Sequence, residues 1–275
     1  METKEVKGII HCHSTYSYDA KLSLAELKDL CQKNGVSFVC MTEHTDELTK
    51  ERAVEFIKEC EVLSDNSFLF IPGFEVPYSI QGSRQHAHVL MIGTRTYHEQ
   101  YAPTIEVLKH WTKDASFVIL AHPVRNQFLV DDGLLSELDG LEVWNQQYEG
   151  KRVPRTRSLK LFETLRKLKP ELRASGGVDF HRKEHMGGPL VSLSIDSLAE
   201  TSIIEKLKAG AYTFSSAKST VYGTLPNVEE LIKKHRFESF VSVSIIILGK
   251  FVNKVLATFG LKLPKSLKER IRQRL

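Results

Sequence analysis

Over most of its length the chain alternates short, continuous apolar runs with longer stretches of helical spacing. "VKGIIH", "VSFVCMT", "FLFIPGFEV", "HAHVLMIG", "SFVILAH", "GLEVW" and "LRASGGVD" read in order as strands, with "AYTFSS" as a last one. Between them "SLAELKDLCQKNG", "ELTKERAVEFIKECEVL", "TIEVLKHWTK", "VPRTRSLKLFETLRKL" and "IIEKLKAG" read as helices, the first with Ser23 as N-cap and a glycine stop. Strands apolar on both faces that alternate with helices predict a mostly parallel sheet covered by helices.

Residues able to bind a metal close these runs. They are His11 and His13, Glu43 and His44 with Asp46 beyond, Glu75, His86 and His88, His122, and Asp179 with His181. Residues one apart in a strand share a side, so His11/His13 and Asp179/His181 are each expected to place two donors in one space. A barrel gathers such positions round one axis at the carboxyl ends of its strands, where an open sheet would spread them along a crevice. The pattern therefore favours a barrel. Cys12 is expected to face the core, Glu43 and Asp46 to orient ligands or start a helix, and His98, His110, His185 and His235 to be solvated.

The composition, 41% hydrophobic and 26% charged, is that of a soluble globular protein. Its net charge of +4 is uneven: from Asn227 onward there are 11 Lys+Arg against 4 Asp+Glu, and before it 27 against 30. A nucleic-acid interface over the whole chain is thereby excluded. Cysteines 12, 31, 40 and 60 form no C-x-x-C pair, and "METKEVKGII" is too charged for a signal peptide, so a reducing cytoplasm is expected. Two domains follow: 1–226, the barrel with its metal-capable strand ends, and 227–275, a basic amphipathic helical tail. In the tail Phe251, Val252, Val255, Phe259 and Leu263 follow helical spacing, with Lys250, Asn253 and Lys254 on the other side. Leu263, Leu267, Ile271 and Leu275 mark a second stripe. The uncharged run stops at Lys250, short of the ~20 residues that a membrane span needs. Packing on the barrel's outer wall is the first expectation for the tail. An anionic inner-membrane surface and an oligomer contact are the others.

"HCHSTYSYD", "TEHTD", "GFEV", "AHVLMIG", "ILAHP" and "GGVDFH", in this order and spacing, resemble the motifs of the PHP (polymerase and histidinol phosphatase) metal-dependent hydrolases. "LEVWNQQYEG" is similar to the CehA/McbA-like subgroup. The resemblance covers roughly 6–216 and implies a distorted seven-stranded β/α barrel holding two or three divalent ions, zinc, manganese or iron. The first motif departs from the family pattern: "SYDA" carries Tyr18 as an insertion and lacks the usual glycine, and "TEH" stands for the usual T-D-H.

The same resemblance implies that His11, His13 and Asp179 bind a first metal, His88 (in preference to His86) and His122 a second, and Asp19, His44 and His181 a third. Glu75 is the bridging carboxylate. Glu75, His122, Asp179 and Arg125 are the expected catalytic set, with Arg182 and Arg84 as further candidates to clamp phosphoryl oxygens. The implied activity is a phosphoesterase that hydrolyses a small phosphorylated molecule or nucleotide with a metal-activated hydroxide. Amidohydrolase chemistry, a nuclease or phosphodiesterase on nucleic-acid ends, and a non-catalytic metal-binding module recruited by its tail are the alternatives.

Overall fold

The computed structural model describes residues 3–99 and 103–258. Strand β1 (Lys4–Cys12) leads into helix α1 (Leu24–Lys33), then β2 (Phe38–Met41), β3 (Glu43–His44) and α2 (Lys50–Leu63). Ser23 caps α1 in a reciprocal box with Glu26, as the sequence pattern requires. Next come β4 (Leu69–Ile71), β5 (Gly73–Ser79), β6 (His86–Ile92), α3 (Ile105–Asp114), β7 (Phe117–Ala121) and α4 (Asp132–Glu137). The third part comprises β8 (Gly140–Asn145), α5 (Gln146–Glu149), α6 (Thr156–Leu168), β9 (Arg173–Gly177), β10 (Leu190–Ile195), α7 (Glu200–Ala209), β11 (Tyr212–Ser215), β12 (Thr220–Tyr222) and α8 (Val228–Thr258).

The strands make two six-stranded sheets, ordered β12-β11-β10-β1-β2-β4 and β3-β5-β6-β7-β8-β9. β2 and β3 form one path interrupted at Thr42, and β4 and β5 another interrupted at Pro72, which has no N–H to offer. Counted so, β1 and β5 to β9 with the β2/β3 path supply the seven expected strand paths. The end of β9 meets β1: Val178 N–H donates to Ile10 O and Phe180 N–H to His11 O, both at 3.1 Å. The architecture is α/β, as expected, but the sheets are mixed rather than mostly parallel. β5–β6, β6–β7, β1–β10, β10–β11 and β11–β12 are antiparallel. A short connection such as 80–85 can return the chain only antiparallel, since a parallel return needs a crossover. β10 escapes a search for continuous apolar runs because only Val191, Leu193 and Ile195 are buried, alternating with Ser192 and Ser194.

All four cysteines are free and buried. Two histidines expected to be solvated are buried: His185, and His235, whose Nε2 pairs with Ser219 Oγ at 2.9 Å. The tail meets expectation at its base, where α8 packs on α5 and α6, and departs from it further out. One continuous helix, α8, begins at Val228, and its outer turns do not pack on the sheets. Phe237, Phe240 and Phe251 are 77%, 70% and 63% exposed. By length and composition Val228–Leu256 could cross a membrane, a requirement that the uncharged run alone did not meet. Phe259 and the stripe Leu263, Leu267, Ile271 and Leu275 lie outside the described residues.

α5 and α6 are joined through a buried acid. Glu149 accepts from Asn145 N–H (3.2 Å) and Arg155 N–H (3.3 Å) on Oε2, while Oε1 faces Ser158 Oγ at 2.5 Å. Burial lifts its carboxyl to about 8 against these hydrogen bonds. The raised value leaves a proton on the folded carboxyl where the unfolded chain has already lost it. The folded state then binds this proton between pH ~4.5 and ~8 where the unfolded chain does not, so stability falls as pH rises through that window. Glu149→Gln, which keeps the hydrogen bonds without the titration, should gain on the wild type by on the order of 2–4 kcal/mol from pH 5 to pH 8. Urea unfolding of both proteins across that range measures it; a constant difference would contradict the assignment.

Candidate metal centre

Glu75 on β5 sits at the middle of the site and is 1% exposed. Its Oε2 lies 3.0 Å from His11 Nε2, 3.2 Å from His13 Nε2 and 3.5 Å from His44 Nδ1. Its Oε1 lies 3.0 Å from His122 Nε2 and is in close contact with His88 Nδ1. Asp179 Oδ1 is 3.4 Å from His11 Nε2, 3.6 Å from His13 Nε2 and 3.4 Å from His181 Nδ1. Asp19 closes the outer side, 3.2 Å from His181 Nε2 and 3.7 Å from His44 Nε2. All nine candidate ligands therefore meet in one place. The donor atoms of eight of them fall into four overlapping groups, His11/His13/Asp179, His11/Glu75/His122, His44/Glu75/His88 and His13/His44/His181, with Asp19 outside these groups beside His44 and His181. His86, by contrast, is exposed at the start of β6 and pairs with Ser79 Oγ.

Plain strand alternation does not bring the ligands together. β1 bulges between Ile10 and Cys12, and His11 takes a φ of 66°. β9 ends before Asp179, which has a φ of 54°, and His122 just after β7 has 25°. These non-glycine residues stand in backbone regions that cost about 1–3 kcal/mol each. Bulges and left-handed turns at the strand ends re-aim the side chains.

Glu142 is a functional residue that stands outside the pattern of strand-end ligands. Buried in β8, it accepts from His11 Nδ1–H at 2.7 Å, from the strained His122 N–H at 2.7 Å and from Asn145 Nδ2 at 2.9 Å. The His11 bond fixes that ring with its Nε2 towards Glu75. Gly177 makes room for it, since a Cβ there would stand 1.7 Å from Glu142 Oε1. An acid inside the otherwise apolar "GLEVW" was the signal available in the sequence.

Other rings are fixed in the same way. His13 Nδ1 pairs with Ser17 Oγ (3.3 Å) and His181 Nδ1 donates to Asp179 O (2.9 Å). His185 Nδ1 accepts from His181 N–H and Gln147 Nε2, so it holds the end of the cluster. Glu43 acts as an orienting acid, accepting from Ser14 N–H, Ser14 Oγ and Ser17 Oγ, with burial lifting its carboxyl to about 7. Asp46 is exposed.

Burial opposes the Glu75 charge, yet the facing His88 and His11 rings hold its carboxyl well below the ordinary range. Burial likewise opposes charge on His11, but Glu142, Asp179 and Glu75 raise it well above its ordinary value. His13, with less compensation, is pushed down by burial to about 3.

At the mouth the inserted Tyr18, 58% exposed, stacks on His44 at 5.4 Å, and the turn still delivers Asp19. Tyr148 lies 5.0 Å from the His122 ring and within hydrogen-bonding reach of the exposed Arg125. Arg182 instead lines a different groove with Lys21 and Lys33, at the head of the short turn Lys183–His185. Arg84 is exposed in the β5–β6 connection.

The model of the PHP domain family matches residues 10–179, and the chain belongs to that family, whose members are metal-dependent hydrolases. Over 84 residues it is 31% identical to "DNA polymerase/3'-5' exonuclease PolX" of Bacillus subtilis (strain 168). That match covers 28% of this chain and 15% of the relative, so the chain spans only a small part of that protein's length. In fold it is similar to a two-domain protein of Bacteroides vulgatus ATCC 8482 containing a predicted PHP-like metal-dependent phosphoesterase. The TM-score is 0.60 at 15% identity, over 86% of this chain and 70% of that one. PsfC from Pseudomonas syringae PB-5123 gives 0.52 at 14% identity, over 86% and 99% of the two chains. The lesion-specific endonuclease PfuEndoQ from Pyrococcus furiosus gives 0.50 at 16%, over 77% and 58%.

Glu142→Gln should weaken Mn²⁺ binding by roughly 10–100-fold, because the Nδ1 partner of His11 and the clamp on His122 are both altered. Isothermal titration of the two proteins checks this, with far-UV circular dichroism as the control for folding. Unchanged affinity would show that Glu142 does not orient His11.

Proposed function

We propose that this chain hydrolyses phosphate esters of small molecules or nucleotides in a reaction that needs two or three divalent cations. The observation that supports this is the convergence of six imidazoles and three carboxylates on a largely buried space. Within it His13 Nε2 and Asp19 Oδ1 have no hydrogen-bond partner among the described residues. Buried carboxylates need compensating charge, and imidazole with carboxylate donors suits Zn²⁺, Mn²⁺ or Fe²⁺. The donor set fits such ions. His11, His13 and Asp179 would hold one and His88 with His122 a second, Glu75 serving both; Asp19, His44 and His181 would hold a third.

Bound there, the cations would lower the pKa of water to near neutrality and offset the charge that develops on the phosphoryl group. The rest falls to the chain. Glu142, Ser17 and the Asp179 carbonyl keep the Nδ1 protons of His11, His13 and His181 outside the cluster, which leaves the Nε2 lone pairs directed inward. Arg125, beside Tyr148 at the mouth, would pair with a non-bridging phosphoryl oxygen. Water oxygen bonds to phosphorus as the ester P–O bond breaks, and a proton lost by that water ends on the departing alkoxide, giving the alcohol and phosphate. Phosphorus is favoured over a carbonyl centre because Glu75 stands where amidohydrolases use a modified lysine.

A nuclease reading is the second, favoured by the 84-residue likeness to a protein named as an exonuclease. The finer placement in the CehA/McbA-like subgroup is supported by "LEVWNQQYEG", whose Glu142 and Tyr148 reach the cluster.

With Mn²⁺ the protein should hydrolyse an aryl phosphate, and His11→Ala or Asp179→Ala should lower the rate by roughly 100-fold or more. Preferential cleavage of diesters or DNA ends would favour the nuclease. Metal-loaded protein inert towards monoesters, diesters and nucleotides would overturn the enzymatic reading.

A further inference from the structure

We propose that α8, with the basic groove at its base, docks this protein on an anionic lipid bilayer. Phosphate headgroups would sit on the basic side chains and the exposed apolar turns in the acyl layer. The start of α6 and the early turns of α8 enclose an open groove of about 660 Å³. Arg155, Arg157, Lys233, Lys234 and Arg236 line it, and none of the five forms an ion pair among the described residues. The Arg155 and Arg157 guanidiniums lie over the Phe128 ring at 5.3 and 4.3 Å, which holds two of the five cations side by side. No acid lines the groove, so its five like charges repel one another, and a polyanionic surface relieves that repulsion.

The same groove is apolar further along, where Phe237, Phe240, Val243 and Ile247 line it. It is therefore amphipathic along the helix axis, charged at one end and apolar beyond. That order matches the headgroup-to-acyl gradient of a membrane and does not match a nucleic acid. After Glu238 no charged residue occurs until Lys250, so the helix has no charged face over 239–249. The 18 residues 239–256 carry only Lys250 and Lys254 and extend ~27 Å at 1.5 Å per residue, close to the ~30 Å hydrocarbon thickness. Only 7% of the helix's most apolar stretch is buried by the rest of the protein. Beyond it, 259–275 contribute six basic residues and Glu269. Positive charge at both ends of the apolar stretch argues for anionic lipid over a second copy of this chain, which would bring like charges together.

The full-length protein should be sedimented with vesicles of phosphatidylcholine alone and with 30% phosphatidylglycerol, its oligomeric state being measured by light scattering. Partitioning onto the anionic vesicles should exceed that onto the neutral ones by at least 10-fold. Arg157→Gln/Lys233→Gln/Lys234→Gln should lower it by roughly 100-fold, at about fivefold per basic side chain. Phe240→Asp/Ile247→Asp should abolish it on both vesicles. All of these side chains are surface groups outside the metal cluster, so unchanged thermal unfolding certifies the variants. Equal partitioning of wild type and variants would overturn the proposal. So would wild-type protein left in the supernatant with both vesicles, whether monomeric or as a dimer held by α8.

Discussion

The fold is organised round a charge that it cannot bury alone. Glu75 stands at the centre of the strand ends with no access to water, and Asp179, Asp19 and Glu142 surround it. Carboxylates so placed are tolerable only with positive charge between them. In the protein's own atoms that role falls to the facing His11, His44 and His181 rings, whose affinity for a proton is raised there; divalent cations would fill it as well. Other local features follow from this demand. The bulge at His11, the left-handed backbone at His122 and Asp179, and the bare Gly177 beneath Glu142 are places where regular strand structure gives way to ligand aim. The large apolar core, with Phe74 packed edge-on to Trp111 at 5.1 Å, supplies the stability against which such strain can be held.

Much of this was legible in the sequence, for a definite reason. A ligand has to be His, Asp or Glu at the end of an apolar run, and that contrast survives without any knowledge of the third dimension. His11, His44, Glu75, His88, His122 and Asp179 all carry it. Glu142 carries the same contrast but lies inside its run, where a single acid reads as part of a strand. Its meaning depends on His11, 131 positions away. Arg182 illustrates the converse. Adjacency to His181 in the chain suggested a shared destination, but consecutive side chains of extended backbone diverge, and it faces a different groove. The antiparallel pairs were hidden because a buried strand reads the same whichever way its neighbour runs. α8 was divided too early in the sequence because Lys250 interrupts its apolar run without interrupting its helix.

Site and tail are also physically connected. α5, four residues long, follows directly from β8 and presents Tyr148 to His122, while Glu149 ties it to Ser158 of α6. Thr156 N–H at the start of α6 donates to Ser239 Oγ on α8 at 3.2 Å. The segment that frames the mouth of the cluster is thus continuous with the base of the exposed helix.

The central claim, that these dispersed side chains form a single polynuclear metal site, is tested most directly by anomalous diffraction at the manganese edge from crystals of the full chain grown with Mn²⁺. The account requires two or three anomalous peaks, each within ordinary bonding distance of Glu75, Asp179 or Asp19 and of the imidazoles grouped round them. Crystals with no peak there, or with manganese only at surface acids, would contradict it.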